Sequence, residues 1–173
     1  MVAIETDNLI LKPMQIEFAT ENYCAWLNDK DVNQYLEIYE EQTLEKLTHY
    51  VENAVKNKIY FWAICLKSND KHIGNIKIDP INFYHQYGEY GILMGDKTEW
   101  GKGYAKEASI AVIDFCFSKL ELRKVYLGVV SNNKPAYELY KKLGFDEEGL
   151  YLNHGKYKND YCNVARMAIY KIK

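Results

Sequence analysis

Glu99-Trp100-Gly101-Lys102-Gly103-Tyr104-Ala105 is the stretch on which the reading of this chain turns. It lies between Glu89 to Met94, which reads as a strand, and a run in which Ala105, Ala108, Val112 and Phe115 recur at helical spacing. A loop entering a helix presents unpaired backbone N–H groups and the positive end of the helix dipole, where anionic phosphate fits. Gly101 and Gly103 allow close approach and torsions that side chains forbid, and Lys102 and Lys106 add charge nearby. Taken alone, a Gly-x-Gly before a helix also reads as a tight turn. The stretch is not a Walker loop, lacking Gly-Lys-Ser/Thr, nor a dinucleotide fingerprint, lacking the third spaced glycine and the ribose-binding acid.

Outward from this loop the period of the apolar residues alternates between strand and helix. Leu9 to Leu11 is a short strand, Ile16 to Leu27 has helical spacing, and Thr43 N-caps a second helix carrying Leu44, Leu47, Val51, Ala54 and Val55 on one face. Ile59 to Leu66 and the Ile76–Ile78 alternation form a hairpin about Ser68-Asn69-Asp70-Lys71, and His85 to Gly88 is a further turn. Val125 to Val130 is a β-branched strand. Pro135 opens a helix that runs to Leu143 with Gly144 at C′, and Phe145–Leu152 and Cys162–Lys171 are terminal strands. The order β, α, α, β, β, β, α, β, α, β, β predicts an α/β fold with a mixed sheet of about seven strands and helices on both faces. No repeat or Pro/Gly/Ser linker interrupts it, so one domain over residues 1–173 is expected.

Composition removes several function classes. The chain has 173 residues, a formal net charge of -2 and 22 basic residues, of which only Arg123 and Arg166 are arginines; a broad positive field for nucleic acid is missing. Cys24, Cys65, Cys116 and Cys162 show no Cys-x-x-Cys pairing and sit in apolar stretches, which suits reduced thiols in a cytoplasm and gives no zinc spacing. The acidic Met1–Ile10 segment is no secretory signal, and no window approaches 18 apolar residues, so no membrane partner is expected.

A second segment, Asn133-Lys134-Pro135-Ala136-Tyr137-Glu138-Leu139-Tyr140-Lys141-Lys142-Leu143-Gly144-Phe145, follows about thirty residues later. Together with the glycine loop it resembles the GNAT superfamily of acyl-CoA-dependent N-acetyltransferases. The family loop is commonly Gln/Arg-x-x-Gly-x-Gly/Ala; Gly103 and Ala105 match it, and Trp100 replaces its polar first residue. The later pattern, Asn-x-x-Ala-x-x-x-Tyr with Gly-Phe behind it, is matched in full by Asn133, Ala136, Tyr140, Gly144 and Phe145. Glu5 to Pro13 and Trp26 to Asp29 resemble the opening of the RimJ/RimL branch, which acetylates N-termini of ribosomal proteins and has relatives of other specificity. The resemblance covers essentially the whole chain and implies a bacterial, cytoplasmic enzyme.

That resemblance implies an acetyl-CoA cosubstrate, no metal, and direct attack of an amine on the thioester. Backbone amides of Trp100, Gly101, Lys102, Gly103, Tyr104 and Ala105 would hold the pyrophosphate. The strand edge at Ile92, Leu93 and Met94 would pair with the pantetheine arm, with an N–H there polarising the thioester oxygen. Asn133 caps its helix and would contact the cofactor arm. Tyr140 is the candidate general acid for the leaving thiolate, since a phenol is protonated at neutral pH. A core tyrosine among Leu139, Leu143 and Phe145 is the plainer alternative for one of 16 tyrosines.

The general base departs from relatives of the RimI type, which carry a glutamate five residues before the motif asparagine; that position is Gly128 here. Glu89 is the substitute, acting directly or through water, with an exposed strand-end carboxylate as its plain alternative. His85 and His154 read as surface histidines, and Cys116 between Phe115 and Phe117 as a packed thiol. Glu37, Glu40 and Glu41 beside Tyr35 and Tyr39 would attract a cationic amine, or are a solvated face. The acceptor is expected to be a protein N-terminal amine. A small amine (nucleotide-linked amino sugar, polyamine or aminoglycoside) is the alternative, a non-catalytic acyl-CoA sensor another, and a homodimer is compatible with either.

Overall fold

The computed structural model describes residues 1–157 and 160–171. Eight strands follow the order β1-β2-β3-β4-β5-β6-β8-β7, where β1 is Ile4–Glu5, β2 Leu9–Pro13, β3 Tyr60–Leu66 and β4 His72–Asn82. β5 is Tyr87–Met94, β6 Lys124–Val130, β7 Asp146–Tyr157 and β8 Asp160–Tyr170. This is the α/β fold with a mixed, helix-flanked sheet that the periodicity predicts. The eighth strand is β1, whose two residues are too few to show a period. The chain divides into two compact units.

The first unit comprises Met1–Asp79 and Gly91–Val112. Here β2 lies antiparallel to β3, with Leu9 opposite Leu66, and β3 antiparallel to β4, with Tyr60 opposite Ile78. Alternation along β3 sends Phe61, Ala63 and Cys65 to one face, where they are buried with Tyr23, Trp26, Leu47, Val51 and Ala54. Those last five come from α1 (Glu21–Asn28) and α3 (Leu44–Lys56). Each helix starts where a threonine hydroxyl satisfies an orphan amide: Thr20 accepts from Tyr23 N and Thr43 from Lys46 N. Between them, α2 (Lys30–Asn33) is a single turn capped by Asp29, too short to register as periodicity.

The β3–β4 register skips Ile73: Ala63 faces Asn75, Ile64 faces Gly74, and Cys65 faces His72. Residues three apart on a regular strand point to opposite faces, but the bulge returns His72 to the face of Asn75 and Lys77. Three polar side chains of β4 therefore stand on the face that carries the core of this unit.

The second unit comprises Pro80–Tyr90 and Ile113–Lys173. The start of β5 pairs in parallel with β6 from Tyr87↔Lys124 to Glu89↔Tyr126, β6 is antiparallel to β8, and β8 to β7. Two register shifts bend β7. Val125, Leu127, Phe145 and Met167 are buried. α5 (Lys134–Lys142) has the proline near its start that the sequence predicts. The remaining helix, α4 (Tyr104–Ser118), gives its first turns to the first unit and its last to the second. Among the described residues no helix is long and apolar enough to cross a membrane.

Candidate functional site

In the first unit the glycine loop has the geometry of an anion cradle. Asp96 caps a single 3-10 turn, Lys97–Glu99, by accepting from Thr98 N at 2.9 Å. Glu99 is buried and receives Lys102 Nζ at 2.8 Å and Lys71 Nζ at 3.3 Å. The Lys102 hydrogen bond, helped by Lys71, holds the Glu99 carboxyl below its usual range against the opposing effect of burial. Lys102 is thus tied to the base of the loop. Gly101 and Gly103 have φ of +76° and +88°, left-handed values that side chains rarely adopt, and a Cβ on either would meet nothing within 4 Å. The loop is therefore glycine for its torsions and open on its outer side. The amides of Gly101, Lys102 and Gly103 find no acceptor among the described residues, and the first amides of α4 at Tyr104 and Ala105 add to them. Exposed donors at a helix N-terminus with room above them fit a pyrophosphate.

The end of β5 leads into this loop. Gly95 N donates to Ile73 O at 3.0 Å on the β4 side. Because alternate residues of an antiparallel strand aim both backbone groups at the partner, Ile92 and Met94 aim theirs the other way, and Leu93 aims toward β4. On that outer side the ladder of β5 with β6 runs from Tyr87 to Glu89. The Met94 carbonyl is already engaged, accepting Trp100 Nε1 at 2.9 Å. The N–H and C=O of Ile92 and the N–H of Met94 are thus turned away from β4 by this alternation. Trp100, which stands where the family loop has a polar residue, thus closes the loop onto the strand.

A cavity of about 460 Å3 lies in the same unit beside this strand, with Ile92 and Leu93 in one wall. Of Glu37, Glu40 and Glu41 in the α1–α3 connection only Glu37 reaches it; Glu40 pairs with Lys46 at 2.9 Å, and Glu41 and Tyr39 are exposed. Asn75 and Lys77 of β4 complete its polar lining with Gln42 and two tyrosines. No periodic or motif signal draws attention to His72, Asn75 or Lys77. The available signal is that polar residues interrupt an isoleucine strand.

In the second unit the Asn133–Phe145 segment acts as one device. Asn133 Oδ1 accepts Ala136 N at 3.3 Å, capping α5 as predicted. At the other end Phe145 N donates to Tyr140 O at 3.0 Å and Gly144 N to Lys141 O at 3.1 Å, with Gly144 at φ +91°. This is the paired bonding of a Schellman cap, and its usual apolar contact is Phe145 against Tyr140, ring centroids 5.8 Å apart. Tyr90 closes the other side at 5.9 Å, nearly perpendicular. Burial pushes the Tyr140 phenol up to about 12. Its hydroxyl has no hydrogen-bond partner among the described residues and is not among the fully buried unpartnered atoms, so the oxygen keeps contact with solvent.

Glu89 is held in the same unit by Nη1 and Nη2 of Arg166, each 3.2 Å from Oε1. Arg166 stands opposite Gly128 on the neighbouring strand. A Cβ at Gly128 would come 2.7 Å from Arg166 Nη1, so the missing side chain is the opening through which the arginine reaches Glu89. The guanidinium also lies over the Tyr126 ring at 5.1 Å. His85 and His154 are exposed. Cys116 is buried with its thiol pushed up to about 12, in keeping with a packed thiol, and the other three cysteines are also free and buried. Among the described residues no group of three or more His, Cys, Asp or Glu is arranged to hold a metal ion.

Residues 8–146 match the family described as Acetyltransferase (GNAT) domain. A Bacillus licheniformis protein named uncharacterized N-acetyltransferase p20 is 27% identical over 175 residues, spanning 99% of this chain and 97% of that one. The fold is shared with the spermidine N-acetyltransferase from Vibrio cholerae solved in complex with CoA and spermine, at a TM-score of 0.84, 24% identity and coverage of 95% and 96%. It is shared too with the ribosomal-protein-S5-alanine acetyltransferase from Vibrio fischeri, at 0.85, 17% identity and coverage of 98% and 97%. The chain belongs to the GNAT acetyltransferase family and is an acetyl-CoA-dependent N-acetyltransferase.

Proposed function

We propose that the protein transfers acetyl from acetyl-CoA by direct attack of a protein N-terminal amine, as a RimJ/RimL-like enzyme of one domain over residues 1–173, working in the cytoplasm. The observation that carries the reaction assignment is Tyr140: a phenol kept protonated by burial, on a capped helix, with its hydroxyl unclaimed among the described residues. Acetyl-CoA supplies an activated thioester, and the chain's own groups do the rest. Amides of Trp100 to Ala105 bind the pyrophosphate, and Lys102 secures the loop through Glu99. Ile92 and Met94 offer backbone groups to the pantetheine arm, with Leu93 between them, and Asn133 holds the start of the tyrosine helix. Tyr140 gives its proton to the leaving sulfur. Glu89 takes the proton of the amine, directly or through one water, with Arg166 fixing its orientation.

A small amine acceptor is the second reading, supported by the spermidine N-acetyltransferase fold and by Glu37 in the cavity wall. Release of CoA thiol over a panel of peptides, polyamines, aminoglycosides and amino-sugar nucleotides decides between them: highest kcat/KM is expected with peptides bearing a free α-amine. A homodimer belongs to the same proposal and is read by sedimentation.

A further inference from the structure

The cavity of the first unit holds an orphan. Asn75 is 3% exposed, stands in the cavity wall, and its Nδ2 has no hydrogen-bond partner among the described residues. The orientation of its amide is settled by its neighbours. His72 Nε2 lies 3.0 Å from both Gly74 O and Asn75 Oδ1. A carbonyl can only accept, so Nε2 carries the hydrogen and Oδ1 is the amide atom that faces it. The NH2 group is left pointing away, unpaired. A buried donor without a partner costs roughly 1–3 kcal/mol, so a fold that keeps one has a use for it or a ligand that satisfies it.

The surroundings state what kind of atom that ligand must present. Lys77, on the same face of β4, stretches its stem over Gly91, within 3.8–3.9 Å of where a Cβ would be, and Nζ donates to Tyr50 Oη at 3.3 Å. Lys77 and Glu37 are the charged residues of the lining, one of each sign. The β4 wall thus presents donors, an amide NH2 and an ammonium, while one carboxylate stands elsewhere in the lining. A polyamine at neutral pH offers N–H donors all along its length. It satisfies Glu37 and nothing on β4, and Lys77 repels it. An α-amine next to a carbonyl offers a cation for Glu37 and an oxygen for Asn75.

We infer that Asn75 is a specificity-determining residue of the acceptor cavity, whose Nδ2 donates to an oxygen carried beside the reacting amine, so that the site selects α-amino carbonyl compounds over polyamines. This rests on the acetyl-transfer function proposed above, and it names the atom by which the acceptor is read. The α-amino carbonyl group is common to an amino-acid amide and to a peptide N-terminus.

The test compares wild type, Asn75→Leu and Asn75→Asp on alaninamide, an alanine-initiated peptide, sec-butylamine and spermidine, with acetyl-CoA saturating. Both variants should lose ten-fold or more in kcat/KM on the two oxygen-bearing amines and less than two-fold on the oxygen-free ones. The basicity of each amine cancels in this double ratio. The KM for acetyl-CoA should not move, and the melting temperature of Asn75→Leu should hold or rise, because the unpaired donor is removed while His72 Nε2–H keeps Gly74 O as its acceptor. A peptide favoured well beyond alaninamide identifies a protein acceptor; equal losses for both identify the α-amino carbonyl itself. Equal losses on all four amines, or none on the oxygen-bearing pair, overturn the inference. If wild type acetylates none of them, the transfer reading fails separately. The Asn75 side-chain NH2 resonances, followed with CoA bound, then decide the inference: they must shift with alaninamide and stay fixed with sec-butylamine.

Discussion

Arg166 reaches Glu89 across Gly128, with Nη1 and Nη2 each lying 3.2 Å from Oε1. Three strands are linked by one side chain: Arg166 stands on β8, Gly128 opposite it on β6, and Glu89 beyond on β5. The glutamate that RimI-type relatives carry at the Gly128 position would occupy the path of the guanidinium. Gain of a carboxylate there and retention of this ion pair are sterically exclusive.

Gly128→Ala should therefore break the pair without unfolding the chain, because the atom displaced at 2.7 Å is the far end of a flexible arginine. We expect a loss of about 1–2 kcal/mol in chemical denaturation. Activity should fall with it, since Glu89 is left without its orienting partner. Unchanged kinetics in Gly128→Ala would mean that the pair is structural only. Glu89→Gln supplies the companion measurement: its pH–rate profile should lose the acidic limb, and a limb that persists removes Glu89 as base.

Tyr140→Phe keeps the ring contacts with Tyr90 and Phe145 and deletes only the hydroxyl. Turnover should drop roughly ten-fold or more while acetyl-CoA affinity stays nearly the same. Turnover equal to wild type with the true acceptor would disprove a proton-donor role.

Gly144→Ala acts on Tyr140 from a distance. At φ +91° an alanine costs on the order of 1–2 kcal/mol, and the cap that seats Phe145 on the tyrosine ring weakens. Both melting temperature and kcat should fall, and KM for acetyl-CoA should change little. A change confined to KM would argue against this linkage.

Gly103→Ala tests the cradle. Its φ of +88° becomes strained although the space is open, so the loop should relax and re-aim its amides. CoA binding, followed by calorimetry or by the fluorescence of Trp100, should weaken by ten-fold or more, with only a small drop in apo stability. Wild-type affinity in this variant would place the pyrophosphate elsewhere.

Stability should fall on the alkaline side. Burial pushes the Cys65 thiol up to about 11 and the Cys116 thiol up to about 12, from an ordinary 9.0. The unfolded chain gives up these protons first, so the contribution is whole below pH 9 and is lost as pH rises toward 12. Urea midpoints measured from about pH 8 to about pH 11 should decline, and Cys116→Ala should flatten the decline while lowering the midpoint itself. A midpoint constant over that range would contradict the burial of both thiols.

Local chemistry made much of this protein legible without coordinates. Threonine caps, the change of period along the chain, the Gly-x-Gly entry to α4 and the Asn133–Phe145 pattern depend on residues close in sequence, and their geometry follows from backbone torsions and nearby hydrogen bonds. They determine the element order, the fold class, the glycine loop and the tyrosine helix. What the tertiary structure alone decided are the pairings between distant segments. The bulge at Ile73 turns His72 onto the face of Asn75 and Lys77. Trp100 claims the Met94 carbonyl, Glu99 claims Lys102, and of Glu37, Glu40 and Glu41 only Glu37 reaches the cavity. Arg166 passes over Gly128 to Glu89. Strand register sets each of these, and a shift of one residue turns every side chain to the other face, so no local pattern encodes them.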